Sequence, residues 1–280
     1  MDNQKIWFIT GVSSGFGREL AKEVAAKGDL VIGSVRKESQ IEEVNALVPE
    51  NTFGTKLDVT NMAQVKEAIK QAFQRFGRID VLVNNAGYGS IGSIEEVSEK
   101  EIRQQFEVNV FGALNVIRTV LPHLRKQKNG HIINITSIGG LIGSEGVGIY
   151  NGTKFALEGI GEALAAEVAP LGIKVSNVEP GPFRTNWAGK SANYTASTIE
   201  DYDATVGKRM RFMKKISGQQ PGDPQKGAAA IYALTQLENT PLHFPLGEIA
   251  YNMTFDKLTR LKEEVAEFEY LGKPTDYNSR

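Results

Sequence analysis

The chain contains no cysteine, which excludes disulfides, thiolate metal sites, iron–sulfur clusters and a cysteine nucleophile. Its three histidines, His123, His131 and His243, are far apart and form no H-x-x-x-H arrangement, so no metal site is expected. No segment reaches the roughly 18 uninterrupted apolar residues of a spanning helix. The first apolar run, Ile6–Thr10, has a strand's length and is too short for the apolar region of a signal peptide. A soluble, cytoplasmic protein without a membrane partner is the expectation. Neither sign of charge is in excess, with 32 Lys+Arg against 33 Asp+Glu and a net charge of -1. That balance leaves no sequence-wide footprint for nucleic acid or anionic lipid. What remains is ordinary globular composition: 280 residues, 41% hydrophobic and 23% charged.

Short apolar or β-branched runs alternate with longer segments of helical period. Strands are expected at Ile6–Thr10, Leu30–Val35, Thr52–Leu57, Asp80–Asn84, His131–Thr136 and Lys174–Glu179. Helices are expected at Gly15–Lys27, Gln40–Leu47, Asn61–Phe76, Ser98–Glu107, Val108–Lys126 and Tyr150–Ala169. Strands apolar on both faces and separated by helices imply a parallel sheet covered on two sides, a doubly wound α/β domain. Its strand-end loops then share one edge, where ligands bind. Residues 182–222 read as irregular. Asp223-Pro224 supplies an N-cap and first-turn proline for a helix to about Leu237. Leu246–Tyr251 reads as a final strand, Phe255–Tyr270 as a charged amphipathic helix, and the end from Gly272 as loose. No linker or repeat divides the chain, so one domain spanning 1–280 is expected.

The first strand runs into Thr10-Gly11-Val12-Ser13-Ser14-Gly15-Phe16-Gly17 and then into a helix. Such a turn lets backbone N–H groups and a helix N-terminus approach a pyrophosphate, although alone it is also an ordinary strand-to-helix turn. Further along stand Asn84-Asn85-Ala86-Gly87, Asn109, Ser137, Tyr150-x-x-x-Lys154 and Pro180-Gly181. In this order and spacing the chain resembles the short-chain dehydrogenase/reductase family, closely over about residues 5–185. The resemblance implies a Rossmann-like sheet with a helical or loop substrate lid at about 183–222 and a C-terminal extension at about 252–280. It implies that Gly11, Ser13, Ser14, Phe16 and Gly17 surround the cofactor phosphates, and that Asp58, with Val59 beside it, meets the adenine. Asn85 and Ala86 would line the adenosine ribose side, and Pro180, Gly181, Phe183 and Thr185 would flank the nicotinamide. Asp58 has a plainer alternative as a turn cap, and the Asn84–Gly87 run as a turn signal.

Where NAD-specific sites place a carboxylate after the second strand, this chain has Val35 followed by Arg36 and Lys37. A guanidinium holds a 2′-phosphate through paired hydrogen bonds, so NADP(H) is expected over NAD(H); the plain alternative is a solvated helix start. Tyr150 and Lys154 are four apart in a helix and share a face. The family tetrad would then be Asn109, Ser137, Tyr150 and Lys154. Tyr150 would act as the proton donor, its pKa brought down by Lys154 and by the positive nicotinamide of the oxidised cofactor, while Ser137 would stabilise the substrate oxygen. Tyr150 and Lys154 would also contact the cofactor. Gly152 departs from the family's alanine or serine, and would allow a closer approach of cofactor or substrate.

Leu141, Ile142, Val147, Phe183, Trp187, Tyr194, Met210, Phe212 and Met213 form an apolar set suited to a lipophilic carbonyl or alcohol, or to packing the lid. Arg184, Lys190, Arg209 and Arg211 would instead greet an acidic substrate, or be solvated. The function implied is an NADP(H)-dependent hydride transfer at a C=O/CH–OH pair. A dinucleotide-binding regulator and a nucleotide-sugar epimerase are the alternatives. Pairing of the helices near 108–126 and 150–169 would give a homo-oligomer, a dimer or tetramer.

Overall fold

Ile6-Trp7-Phe8-Ile9 is apolar at every position because it is buried on both faces, and it forms β1 near the middle of a parallel sheet. The structure is a computed structural model, and it describes residues 4–277 apart from 186, 188, 190 and 191. The other strands are β2 (Leu30–Val35), β3 (Thr52–Lys56), β4 (Val81–Asn84), β5 (Gly89–Ile91), β6 (Gly130–Ile135), β7 (Ile173–Pro180), β8 (Ala192–Tyr194) and β9 (His243–Leu246). The helices are α1 (Gly15–Ala26), α2 (Ile41–Asn45), α3 (Met62–Phe76), α4 (Glu99–Phe106) and α5 (Gly112–Gln127). They continue with α6 (Gly148–Val168), α7 (Lys208–Ile216), α8 (Pro224–Leu234), α9 (Glu248–Glu267) and α10 (Glu269–Gly272).

Seven strands form one parallel sheet in the order β3-β2-β1-β4-β6-β7-β9. Alternation along β1 divides the core. Ile6 and Phe8 pack with α3, α5 and α6, whereas Trp7 and Ile9 pack with α1, α2 and α8. The order reverses between β1 and β4, so the loops after these two strands open the crevice where doubly wound sheets bind ligands. This is the single-domain, doubly wound architecture that the sequence predicts.

Three local expectations change. The last strand ends at Leu246, because Gly247 takes φ +90 and α9 starts one residue later. The apolar run Ile249-Ala250-Tyr251 therefore belongs to a helix. The segment read as irregular contains α7, whose Met210 and Met213 are spaced to face inward and are buried. It also supplies β8, which pairs in parallel with β5 as a separate two-stranded sheet. Between α4 and α5, residues Glu107–Phe111 wind as a π-helix, with Asn109 at its centre.

Candidate active site

The glycine turn is built for close approach. Gly11 and Gly15 hold φ +74 and +61, which side-chain-bearing residues rarely adopt. A Cβ on Gly17 would come within 2.4 Å of Asn85 Nδ2 and 2.5 Å of the Gly11 carbonyl oxygen. Ser14 precedes α1 without capping it through its side chain, and no acidic residue lies in the first turn. The N–H groups opening α1 thus keep their capacity for an anion, and the helix dipole adds to it. Phe16 turns its ring onto Phe183, with centroids 4.8 Å apart. Thr185 stands over the turn, its Cβ 3.7 Å from where a Gly15 Cβ would be. The donor geometry and the missing Cβ atoms fit a dinucleotide pyrophosphate.

The turn is fastened to the next strand end. Thr10 Oγ1 accepts hydrogen bonds from the Asn85 and Ala86 N–H groups, and Asn85 Nδ2 donates to the Thr10 and Gly11 carbonyls. Asn84 ties β4 to β6 by donating to Asn134. Arg36, after β2, is exposed, makes no ion pair among the described residues, and is close enough to act on the Tyr88 phenol through its charge. Asp58 uses Oδ1 as a turn cap for Thr60, which leaves its second oxygen for another donor. The Val59 side chain is core, and its carbonyl accepts from Asn115, so only its N–H faces any ligand role. Phe183 likewise sends its ring into the α1/α8 core, leaving backbone at this edge. Gly181 donates to the Leu246 carbonyl and abuts Ala250 of α9, directly after Pro180 ends β7.

Ser137, Tyr150 and Lys154 meet at the same edge. Gly139 lies between them: a Cβ there would be 3.3 Å from Ser137 Oγ and 3.4 Å from Tyr150 Cε1. Ser137 Oγ accepts from the Gly139 N–H at 2.9 Å and is near enough to the Tyr150 phenol to favour its charged form. Lys154 Nζ donates to the Ile135 carbonyl at 2.7 Å and lies 5.8 Å from the Tyr150 ring centroid. Asn109 Nδ2 donates to the Tyr88 carbonyl and to Thr153 Oγ1, and its Oδ1 accepts from the Tyr88 N–H. Thr153, inside the Tyr-x-x-x-Lys stretch, is the partner that sequence reading missed.

Burial dominates the electrostatics here. It pushes the Tyr150 phenol up to about 12, against a smaller lowering by Ser137. Burial also brings Lys154 down to about 8, with Glu158 opposing. The lowering expected from Lys154 together with an oxidised nicotinamide concerns the cofactor-bound site, whereas in the chain by itself burial sets the direction. Tyr150 is held as a neutral phenol, the form that donates a proton.

An apolar wall covers Tyr150. The Trp187 ring lies 4.8 Å from the Tyr150 ring, and Ile91, Val147, Val206, Met210 and Met213 complete the cluster with Tyr194 at its edge. Leu141 and Ile142 are half-buried nearby in sequence, Phe212 is 50% exposed, and Phe183 is in the other core. Arg184 donates to the Gln220 carbonyl, Arg211 pairs with Asp203, and Arg209 lies over the Phe212 ring. Lys190 lies outside the described residues. Gly152 faces Phe106 of α4, 3.6 Å from the position of an added Cβ, and is solvent-exposed. It does not serve close approach to the site. Gly152→Ala is expected to stabilise the chain by about 1 kcal/mol and to raise Tm by about 2 °C, read by thermal melting, with turnover unchanged.

One buried set was not legible in the sequence. Asn84, Asn134 and Asn177 stand in register on β4, β6 and β7 and hydrogen-bond in sequence, ending at Glu158 Oε2, 2.7 Å from Asn177 Nδ2. His243 Nδ1 is 2.9 Å from Glu179 Oε1 and 3.5 Å from Glu158 Oε2. Burial, and then the Glu158 charge, push Glu179 up to about 9, so it carries a proton at neutral pH. Strand register aligns the three asparagines, and the packing of α6 on β7 adds Glu158 to them.

The comparisons with known proteins agree with this fold. The short chain dehydrogenase family model matches residues 5–195. Oxidoreductase BOA17 of Botryotinia fuckeliana is 41% identical over 244 residues, covering 87% of this chain and 89% of its own. A 3-ketodihydrosphingosine reductase of Bacteroides thetaiotaomicron is 38% identical, covering 88% of each chain. A short-chain dehydrogenase of Streptomyces avermitilis superposes with TM-score 0.92 at 40% identity, over 99% of this chain and 100% of that one. A Burkholderia phymatum short chain dehydrogenase/reductase in complex with NAD gives 0.81 at 25% identity, over 99% and 98%. ElxO with NADP bound gives 0.72 at 29% identity, over 87% and 97%. With an α/β sheet, a phosphate-fitting turn and these matches in hand, the chain belongs to the short-chain dehydrogenase/reductase family.

Proposed function

We propose that this oxidoreductase reduces an apolar ketone or aldehyde with NADPH, using Tyr150 as proton donor. The observation that carries the reading is the buried phenol, placed with Ser137 around Gly139 on the edge shared with the glycine turn. The α1 N-terminus with Gly11, Ser13, Ser14, Phe16 and Gly17 would hold the pyrophosphate. Arg36 would hold a 2′-phosphate, and Asp58, Val59, Asn85 and Ala86 the adenosine. Pro180, Gly181, Phe183 and Thr185 would flank the nicotinamide. When bound, the dihydronicotinamide supplies the hydride that the carbonyl carbon receives.

Tyr150 gives its proton to the oxygen as negative charge develops there, and Ser137 stabilises that charge. The phenolate left behind is a far stronger base than the Lys154 amine, given values of about 12 and about 8, so reprotonation from the lysine side runs downhill. Asn109, fixed by Tyr88 and Thr153, would hold the groups that connect Lys154 with solvent. The covering segment near 183–222 would be the substrate lid and the part beyond about 252 an extension of the single catalytic domain. The Trp187, Met210 and Met213 wall supports an apolar substrate, as does the relative named 3-ketodihydrosphingosine reductase. Half-exposed Phe111, just before α5, and Phe155 of α6, at 49% and 45%, support pairing of α5 and α6 between subunits.

Consumption of NADPH, followed by absorbance against a panel of apolar ketones and aldehydes, tests the reading. Turnover of none of them by protein that binds NADPH would overturn it. The pH profile is a further expected outcome. Below about 8 Lys154 is an ammonium and the phenol is recharged, so reductive kcat is constant. Above that value the proton source is lost and kcat falls about tenfold per pH unit. A profile flat to about pH 10 would take Lys154 out of the proton path.

A further inference from the structure

Beyond Met253 and Thr254, α9 leaves the domain, and Ala250 is its buried residue. Every residue from Leu258 to Tyr277 is exposed. Yet Tyr251, Thr254, Leu258, Leu261, Val265 and Phe268 follow one another at spacings of three, four, three, four and three. This is the seam of a helix that packs lengthwise on another helix. Leu258, Leu261, Val265 and Phe268 are 56%, 43%, 64% and 50% exposed, with Phe255 and Leu271 at 62% each beside them. An isolated helix with an apolar stripe in water has little to hold it.

The charges beside the seam are divided along its length. The charged residues flanking the seam are Lys257 and Lys262, followed further along by Glu264 and Glu269. Among the described residues Lys257, Arg260, Lys262, Glu263, Glu264 and Glu267 make no ion pair, although several are three or four apart. We propose that α9 is the docking surface for a second copy of this chain, the two helices running antiparallel about a two-fold axis. Antiparallel pairing sets the basic half of each helix against the acidic half of its partner, while parallel pairing would oppose like charges. Lys257 and Glu264 are seven residues apart on the same side of the seam, so a two-fold axis between them brings each against the other's counterpart. The acidic half also disfavours an anionic membrane as the occupant. The surface is separate from the α5/α6 faces. Its root touches Gly181 and the turn at 138–140, so the pairing is anchored at the rim of the active site.

Sedimentation equilibrium of the full chain at about 1–100 μM tests this. The expected result is that Leu258→Glu with Leu261→Glu halves the assembly mass, from tetramer to dimer or from dimer to monomer, and leaves NADPH turnover intact. Lys257→Glu and Glu264→Lys should each raise the dissociation constant about tenfold, and the two together should restore it. An unchanged mass in the leucine variant overturns the proposal. A wild-type monomer does so too, including one that co-sediments with phosphatidylserine vesicles. Failure of the charge swap to restore association overturns the antiparallel arrangement.

Discussion

Tyr150→Phe is expected to lower the rate of carbonyl reduction roughly 10²–10⁴-fold, about 2.7–5.4 kcal/mol on the barrier, because it removes the proton donor and little else. The ring keeps its place against Trp187, 4.8 Å away, and inside the Met210–Met213 cluster. Ser137 loses the phenol but keeps its bond from the Gly139 N–H. The hydroxyl is buried, and its burial raises its pKa rather than charging it, so no ion is left unpaired. Stability should therefore move by no more than about 1 kcal/mol, within about 2–4 °C in Tm. NADPH affinity, measured by fluorescence titration, should stay within about twofold, since the change acts on the transition state rather than on binding. Turnover retained to within about tenfold, with affinity and Tm unchanged, would assign the proton to another group.

The sheet was legible because a parallel strand must be apolar on both faces. Ile6–Ile9, Val81–Asn84 and Gly130–Ile135 carry that signature, and their helices carry the longer period between them. The glycine turn and the Tyr150/Lys154 spacing were legible for a related reason: each is local, set within one turn or one helical repeat. The groups are brought together by the strand order, and that order follows from the handedness of the crossovers.

What failed was short-range evidence applied to a segment whose structure is set by tertiary contact. Ile249-Ala250-Tyr251 is apolar and β-branched at its start, so it resembles a strand. Gly247 nevertheless turns the chain with a positive φ, and Glu248 enters the first turn of a helix. α7 is hidden among basic residues, although Val206, Met210 and Met213 carry its inward spacing. Phe183 looked like a substrate contact beside Pro180-Gly181, and only the closeness of Gly222, Gly227 and Gly247 shows that its ring has a slot in the core. The burial that raises the Tyr150 pKa in the chain by itself was not legible for a physical reason. A charge four residues away is visible in sequence, while the apolar residues that desolvate the phenol come from β5, α7 and the lid.

Arg36→Ala is expected to raise the KM for NADPH roughly 10–150-fold, the equivalent of losing about 1.5–3 kcal/mol of charged hydrogen bonding, and to leave the KM for NADH within about twofold. The contrast follows from what Arg36 does in the absence of ligand. It is exposed and makes no ion pair among the described residues, so the substitution removes no structural bond and should shift stability by less than about 0.5 kcal/mol. Val35, immediately before it, is 2% exposed and apolar, so the end of β2 offers no carboxylate to a ribose 2′-hydroxyl. A bare ribose would then be held by backbone and shape alone, in the wild type and the variant alike. A 2′-phosphate carries the charge that a guanidinium is arranged to meet in pairs of hydrogen bonds. Steady-state KM values for both cofactors, at one ionic strength because exposed charge pairs are screened, make the measurement. Equal losses for NADPH and NADH would mean that Arg36 acts on a part the two cofactors share, and a wild-type preference for NADH would mean that the guanidinium lies outside the site.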